Sequence, residues 1–557
     1  MIKVSDANAR VLRIDPRDDV LVALADLDAG MAVEDSGASV TLREAVPAKH
    51  KISIRDLPRG SRIQMYGTTV AEAVCDIVAG DRITTSNVIH ATADVTTDAV
   101  RTTWQPPDVS RWRDATFLGY AREDGRVGTA NYWIVVPLVF CQNRNLLMLQ
   151  DALLEGLGYA PDRSYQSHTR VLIDLYRNGK SAGEILDVDF KHKVKRQPES
   201  KRVFDNVDGV KFLKHELGCG GTFDDAYTLC GLLAGYINHP NVAGATVLSL
   251  GCQKAQIENL EQEIYRRNSK FNKPLYILEQ QQLGTESAFM SAALKHTFAG
   301  LMQANECRRE PAALSHLSIG LECGGSDGFS GISANPAIGH AADLTVALGG
   351  TVVLSEFPEL AGAEQDLVNR AVDQPTAERF MQIMQTYSAR AEAVGSGFDQ
   401  NPSPGNVADG LTTDAIKSLG AAKKGGSSPV VDALDYPEMV TKPGLNLLCT
   451  PGGDIESVTA MVGSGANLVL FSTGLGTPTG NPIAPVLKVS SNSEVAQKMP
   501  DIIDIDAGGI INGKTTIDRV GEQILDRIVR TASGQSQTCA QVLAQDDFIP
   551  WKRGISI

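Results

Sequence analysis

Between residues 118 and 300 one pattern recurs: an apolar run closes on a glycine or cysteine and gives way to a helix-like segment. "YWIVVPLVFC" precedes "NRNLLMLQDALLEGLG", "GVKFLKHELGCGG" precedes "DDAYTLCGLLAGYI", "ATVLSLGCQKAQ" precedes "IENLEQEIYRR", and "LYILEQQQLG" leads into a further helical run. Apolar strands that alternate with helices pair in parallel, with the helices covering the faces of the sheet. The expectation is a Rossmann-like α/β domain over 118–310, with ligands beyond the carboxyl ends of its strands. After "NECRREPAALSH" (305–316) a second series begins with "LSIGLECGGSDGFSG", "TVVLSEFPELAG", "LNLLCTPGGD", "NLVLFSTGLGTPTG" and "VLKVSSN". It predicts another mainly parallel α/β domain over 311–557.

Residues 1–95 read differently. Short β-like runs ("RVLRI", "VLVAL", "SVTL", "KISI", "RIQMY", "DRITTSNVI") alternate with turn signals, which describes a small β-rich module. Residues 96–117, with "TTWQPPDVSRWRD", suit a linker lying over another domain. The polar, basic "VKRQPESKRVFDN" (194–206) suits an insertion. The net charge of −14, from 52 basic and 66 acidic residues, argues against a nucleic-acid or anionic-membrane partner and for a small molecule. No signal peptide and no span of ~18 apolar residues is read. Nine cysteines scattered over 557 residues suit a reducing cytoplasm better than a disulfide framework.

Cys141, Cys219, Cys252 and Cys323 each end a β-like run and enter a turn. Cysteine is a small hydrophobe at home in buried strand ends. Four at the same structural place also suit ligands of a soft divalent metal or an iron–sulfur cluster, although no C-x-x-C spacing marks one. His215, four residues before Cys219, is an acid/base candidate. His50 with Lys51 begins a strand and offers two cationic groups to an anion, whereas His90 reads as an exposed linker residue. In "ECGGSDGFSGISANPAIG" (322–339) Gly324, Gly325 and Ser326 allow close backbone approach to a ligand, and Asp327 offers a carboxylate. Glu356 and Glu359 read as helix-start carboxylates. Lys417, Lys423 and Lys424, among glycines, suit an anion cradle.

"DIDAGGIINGKTT" (504–516) matches G-x-x-x-x-G-K-[ST], the phosphate loop, from Gly508 to Thr515. Ile510 and Ile511 are poor fillers for amides that must wrap a phosphate, and Asn512-Gly513 is a turn signal. The better reading is a helix starting at Thr515, with Asp518 closing a capping box and no nucleotide bound.

Taken together, "PAKHK", "MYG", "GYAREDGRVGTANYW", "HELGCGG", "LSLGCQ", "LECGGSDGFSGISANPAIG", "NPSPGN", "KSLGAAKKGG" and "TGLGTPTGNP" resemble the altronate and galactarate dehydratase family over almost the entire chain. The resemblance implies a β-clip (SAF) module before two α/β domains. It implies a cytoplasmic hydro-lyase acting on a sugar acid, altronate ahead of galactarate, glucarate or a sulfonated hydroxy acid, and working as a homodimer. A non-catalytic sugar-acid binder is the alternative from another class. It also implies a divalent metal, iron ahead of manganese or magnesium. Carried over by position are His50, Cys141, Cys219, Cys252 and Cys323 for the metal, His215, Lys417, Asp327 and Lys51 for catalysis, and Arg126, Lys424, Asn406, Gly324, Gly325 and Ser326 for substrate. Two departures stand out: "TTSNVIHA" replaces a His-x-His that some relatives carry, and Gln253 stands where relatives often carry Glu.

Overall fold

The N-terminal module is built from hairpins because its runs are short and are separated by turn residues. The computed structural model describes residues 10–35, 38–97, 102–160, 164–190 and 202–556, so most of the basic stretch of 194–206 lies outside the described residues. Four antiparallel strands, Val11–Leu12, Val20–Ala23, Lys51–Ser53 and Arg82–Ile83, form one sheet in that order, and Arg62–Met65, Thr68–Ala73 and Val88–His90 form a second. The period of two explains how the module docks. Leu21 and Ala23 face its own core with Leu27, Val33 and Ile52. Val20 and Val22, on the opposite face, belong to the continuous core of the C-terminal sheet. His90 is half-buried, and its Nδ1 accepts the Ala415 N–H at 3.3 Å, so it is not the exposed linker residue that its sequence suggests.

Among residues 102–115 the Thr102 N–H donates to the Asn369 carbonyl and the Trp112 indole to Asp526, which fastens this stretch over the C-terminal region. Thr116–Ala121 pairs antiparallel with Arg309–Ala313, so the entry to and exit from the second region lie side by side.

The second region carries β1 (Tyr132–Pro137), β2 (Gly209–Phe212), β3 (Val242–Ser249) and β4 (Leu275–Glu279), parallel and in the order β2-β1-β3-β4. The C-terminal region carries β5 (Ser318–Cys323), β6 (Thr351–Leu354), β7 (Val430–Leu434), β8 (Gly444–Leu448), β9 (Leu468–Thr473), β10 (Val486–Ser490) and β11 (Ile505–Asp506). Its order is β7-β8-β6-β5-β9-β10-β11, again all parallel. The central strands of both sheets, β1 and β3 in the second region and β8, β9 and β10 in the C-terminal one, are buried on both faces, as expected of strands covered by helices, while the edge strands β2, β4 and β11 are partly exposed. In the larger sheet the chain leaves β5 in one direction and returns to its other side as β9. That reversal opens a crevice at the carboxyl ends of these two strands.

The two regions meet through helices α1 (Phe223–Asn238) and α2 (Asp454–Gly463). They touch backbone to backbone, since a Cβ on Gly235 would lie 1.9 Å from the Gly463 carbonyl oxygen. Gly235→Ala must therefore separate the helices. We expect a loss of ~3 kcal/mol, read as a lower denaturant midpoint.

The phosphate-loop match folds as a capped turn. The Gly508 N–H donates to Asp506 at 2.7 Å, so a side-chain carboxylate holds an amide that a phosphate would need. Helix α3 (Ile517–Ala532) is capped by Thr516, not Thr515, through its bond from the Arg519 N–H, and Asp518 faces His340 instead.

Candidate active site

The crevice between β5 and β9 is lined by the turn that follows Cys323. Gly324 is required there: a Cβ would meet the Asp454 carboxylate at 1.9 Å. Gly325 takes the left-handed conformation (φ 58°). Asn406 braces the turn by donating to the Ser326 carbonyl at 2.8 Å, while its own Oδ1 accepts the Ser403 N–H. Asp327, fully buried, accepts from the Ser491 hydroxyl at 2.8 Å, the Ser330 hydroxyl at 3.0 Å and Asn492 at 3.2 Å. Its second partner set comes from the N-terminal module. Lys49 Nζ lies 3.1 Å from Asp327 and 2.9 Å from Asp409, so Lys49 belongs to the site although the sequence drew attention to its neighbours.

Lys51 is buried beside this pair. Its Nζ donates to the Gly410 carbonyl at 2.6 Å and the Lys49 carbonyl at 3.1 Å. With neutral acceptors only, burial pulls the ammonium down to about 7, a shift that the charge of Asp327 opposes. His50 is half-buried with Nδ1 on the Ala48 carbonyl. Burial lowers its pKa, and the Lys51 and Arg82 charges lower it further.

Deeper in the crevice lies an acidic cluster. Glu356 holds a left-handed backbone (φ 62°), a strain of ~1–3 kcal/mol in a non-glycine residue. Its Oε2 accepts from Lys424 at 2.7 Å and from the Cys323 N–H at 3.1 Å. Glu359 pairs with Lys417 at 2.6 Å and lies 3.1 Å from Cys323 Sγ. Lys417 also donates to Asn401. Glu322 accepts from the Ser457 hydroxyl at 2.6 Å. Five carboxyl groups, those of Glu322, Glu356, Glu359, Asp414 and Asp454, thus crowd around two ammonium groups. Burial and the Glu356 charge push Glu322 well above the carboxylate range. Burial and Glu359 raise Asp414 to about 8, and burial with Glu356 and Glu359 raises Asp454 to about 7. Burial also lifts the Cys323 thiol, helped by the two glutamates.

That excess of buried acid fits a divalent cation. Cys323, Glu356 and Glu359 each offer a ligand atom, all within 4.8 Å of one another, and the buried Glu322 Oε1 and Glu356 Oε1 have no hydrogen-bond partner. Glu356 is the N-cap residue of the short 3-10 helix Phe357–Leu360 and Glu359 lies in its first turn, so both stand at a helix start as read from the sequence; that reading gave no sign that they also belong to the site. Asp414 and Asp454 carried no such sign either. Gly325, Asn401, Asp454 and Thr477 are partly exposed and form the mouth, while Cys323, Glu356 and Glu359 are buried behind them.

Other expected site residues lie elsewhere. Arg126 bonds Asp124 and the Asn238 carbonyl at the C-terminal end of α1, a local pair that neutralises a helix end, so it does not reach this anion cradle. The four strand-end cysteines do not share one crevice. Cys323 is buried in the C-terminal sheet, whereas Cys141, Cys219 and Cys252 are exposed on the second region. His215 is buried there with both ring nitrogens engaged: Nε2 donates to the Pro137 carbonyl at 2.7 Å and Nδ1 accepts the Leu217 N–H at 3.1 Å. Burial lowers it to about 4. His215→Ala leaves both backbone groups unpaired, and we expect a loss of ~2–4 kcal/mol in chemical denaturation.

Comparison with known proteins agrees with this architecture. Family models match the altronate/galactarate dehydratase SAF domain over residues 9–91, the D-galactarate dehydratase/altronate hydrolase second domain over 119–305, and the D-galactarate/altronate dehydratase C-terminal domain over 314–556. The chain is 33% identical to altronate dehydratase of Escherichia coli K12 over 549 residues, 98% of this chain and 99% of that one. It is 32% identical to altronate dehydratase of Bacillus subtilis 168 over 524 residues, 94% and 95% of the two chains. It is 30% identical to galactarate dehydratase (L-threo-forming) of Escherichia coli K12 over 546 residues, 96% and 95%. With three consecutive domains matched and near-complete coverage, the chain belongs to the D-galactarate/altronate dehydratase family.

Proposed function

We propose that this protein is a hydro-lyase that removes water from D-altronate to give 2-dehydro-3-deoxy-D-gluconate. The C2 proton and the C3 hydroxyl leave as water, and the enol becomes the 2-keto acid. Support comes from full-length similarity to altronate dehydratases and, in the structure, from one observation above all: a buried thiol–carboxylate–lysine cluster behind a polar mouth at a strand reversal.

The hard step is proton removal beside a carboxylate, where charge accumulates. A divalent cation, iron ahead of manganese or magnesium, held by Cys323, Glu356 and Glu359 would supply positive charge against the enolate. Lys417 and Lys424 add two fixed ammonium groups on the same side and bind the substrate's carboxylate. Lys51, held near neutrality by burial, takes the C2 proton, with Lys49 and Asp327 fixing the module that carries it. Asp454 at the mouth, whose carboxyl burial raises above its ordinary range, gives a proton to the departing hydroxyl. Gly324, Gly325 and Ser326 admit the sugar chain close to the backbone, and Asn406 holds their turn. His215 orders its loop in this reading and does not exchange protons with substrate.

All nine cysteines are free, as a reducing cytoplasm keeps them, and no helix among the described residues is long and apolar enough to cross a membrane. The test is 2-keto acid formation by anaerobically purified, iron-loaded protein over a panel of D-altronate, galactarate, glucarate and a sulfonated hydroxy acid. D-Altronate is expected to give the highest kcat/KM. A galactarate preference would move the substrate and keep the chemistry, and binding without turnover on every acid would overturn the reading.

A further inference from the structure

The second region presents a thiol group that the proposed dehydration does not use. Cys141 follows β1, Cys219 follows β2 and Cys252 follows β3, which are hydrogen-bonded neighbours in the sheet. Their three loops are tied together. The Phe140 N–H donates to the Leu217 carbonyl at 3.0 Å, the Ala255 N–H to the Gly218 carbonyl at 3.1 Å, and Lys254 Nζ to the Gly221 carbonyl at 2.6 Å. Gly218 is packed so closely that a Cβ would lie 2.2 Å from the Leu138 carbonyl oxygen. Gly218, Gly220 and Gly251 all take left-handed conformations (φ 99°, 73° and 122°), which turn the chain sharply on both sides of Cys219 and just before Cys252. In the order β2-β1-β3-β4 the chain leaves β1 to one side and returns on the other, so these loops rim the second sheet's own reversal crevice.

We propose that Cys141, Cys219 and Cys252 bind an iron–sulfur cluster through three thiolates, leaving one iron open to an oxygen donor such as water or a hydroxy acid. Three observations favour this over packing or a single ion. All three thiols are exposed, whereas a cysteine that serves as a small hydrophobe is buried. All three are free, so no pair among them is closed as a disulfide. Among the described residues the one set of three thiol, imidazole or carboxylate ligand atoms within 4.8 Å of one another is Cys323, Glu356 and Glu359, so the three exposed sulfurs are not gathered as tightly as a tetrahedral ion at ~2.3 Å from each sulfur requires. A cubane holds its thiolates farther apart, on separate irons, and thiolate is the donor that such clusters take. The inference goes beyond the proposed dehydration and does not depend on which sugar acid is the substrate.

The test uses the full chain, purified anaerobically and reconstituted with ferric iron, a thiol reductant that brings part of it to the ferrous state, and sulfide, then desalted. Acid-labile sulfide, the broad visible absorbance of a cluster, and an electron paramagnetic resonance signal after mild oxidation are expected in the unaltered protein and in Cys323→Ser. All three are expected to be lost in the triple variant C141S/C219S/C252S, with far-ultraviolet circular dichroism unchanged. A second measurement does not depend on variants. In the reconstituted protein Cys141, Cys219 and Cys252 should resist alkylation while exposed Cys75 reacts, and chelation of iron should make all four react alike. Absence of labile sulfide after reconstitution, or a cluster that persists in the triple variant, would overturn the proposal. Turnover of D-altronate is read separately, so failure of the substrate assignment leaves this result standing, and the reverse.

Discussion

Glu356→Gln should abolish tight divalent-metal binding and lower kcat by ~10³-fold, the scale on which removal of a preorganised electrostatic group acts. The substitution removes one of three clustered ligand groups and the partner of Lys424, which is itself 1% exposed. An ammonium left buried without its carboxylate destabilises the fold, by ~3–5 kcal/mol for pairs of this kind. Metal analysis by plasma mass spectrometry, thermal melting and keto-acid assay separate the two effects. The double variant Glu356→Gln/Lys424→Met should recover much of the stability because no unpaired charge remains, and should recover neither metal nor turnover. Full metal content in Glu356→Gln would remove Glu356 from the ligand set.

Lys51→Met should lower kcat by ~10²–10⁴-fold, the usual contribution of a general base, without loss of folding. It should also erase the acid limb of the rate profile, since in the unaltered enzyme activity rises with pH as Lys51 loses its proton at about 7. Stability gives an independent readout. The folded-state pKa lies below the value of 10.5 for an unburied lysine, so between about 7 and 10.5 the unfolded chain binds more protons than the folded one. Stability from this residue therefore rises with pH across that window, and below about 7 its buried charge is a full penalty. Methionine has no charge to desolvate. Lys51→Met should be the more stable protein near pH 7, with the difference shrinking toward pH 10 in denaturation curves. An unaltered rate profile in a folded Lys51→Met would show that another group takes the proton.

The two variants probe parts of the site that were unequally legible. Asp327, Lys417 and Lys424 could be singled out from the sequence because each stands in a short polar, glycine-rich stretch, and Lys51 because with His50 it puts two cationic groups at the start of a strand. Glu356 and Glu359 could not be told from ordinary helix-start carboxylates until β6 was placed beside β5, which brings "LSEFPEL" against "LECGG". Arg126 shows the converse. Its charge suits a sugar acid, but Asp124 two residues away and the end of α1 claim it first. His215 has the residue type and position of an acid/base, and only the Pro137 carbonyl and Leu217 amide at its two nitrogens show that both are occupied.

By itself the sequence determined the alternation of strand and helix, the β-rich module ahead of it, and the placing of cysteines and glycines at strand ends, because these follow from periodicity and turn chemistry within a dozen residues. Tertiary structure alone decided the sheet orders, and with them which strand ends are neighbours. It sorted the four thiols into one buried site and one exposed trio, and brought Lys49 and Lys51 of the first module against Asp327 and Gly410 some 280 and 360 residues later. The reason is physical: an apolar period fixes which face of an element is buried, but any of several buried strands could pair with it, and the choice is made by packing the whole core at once.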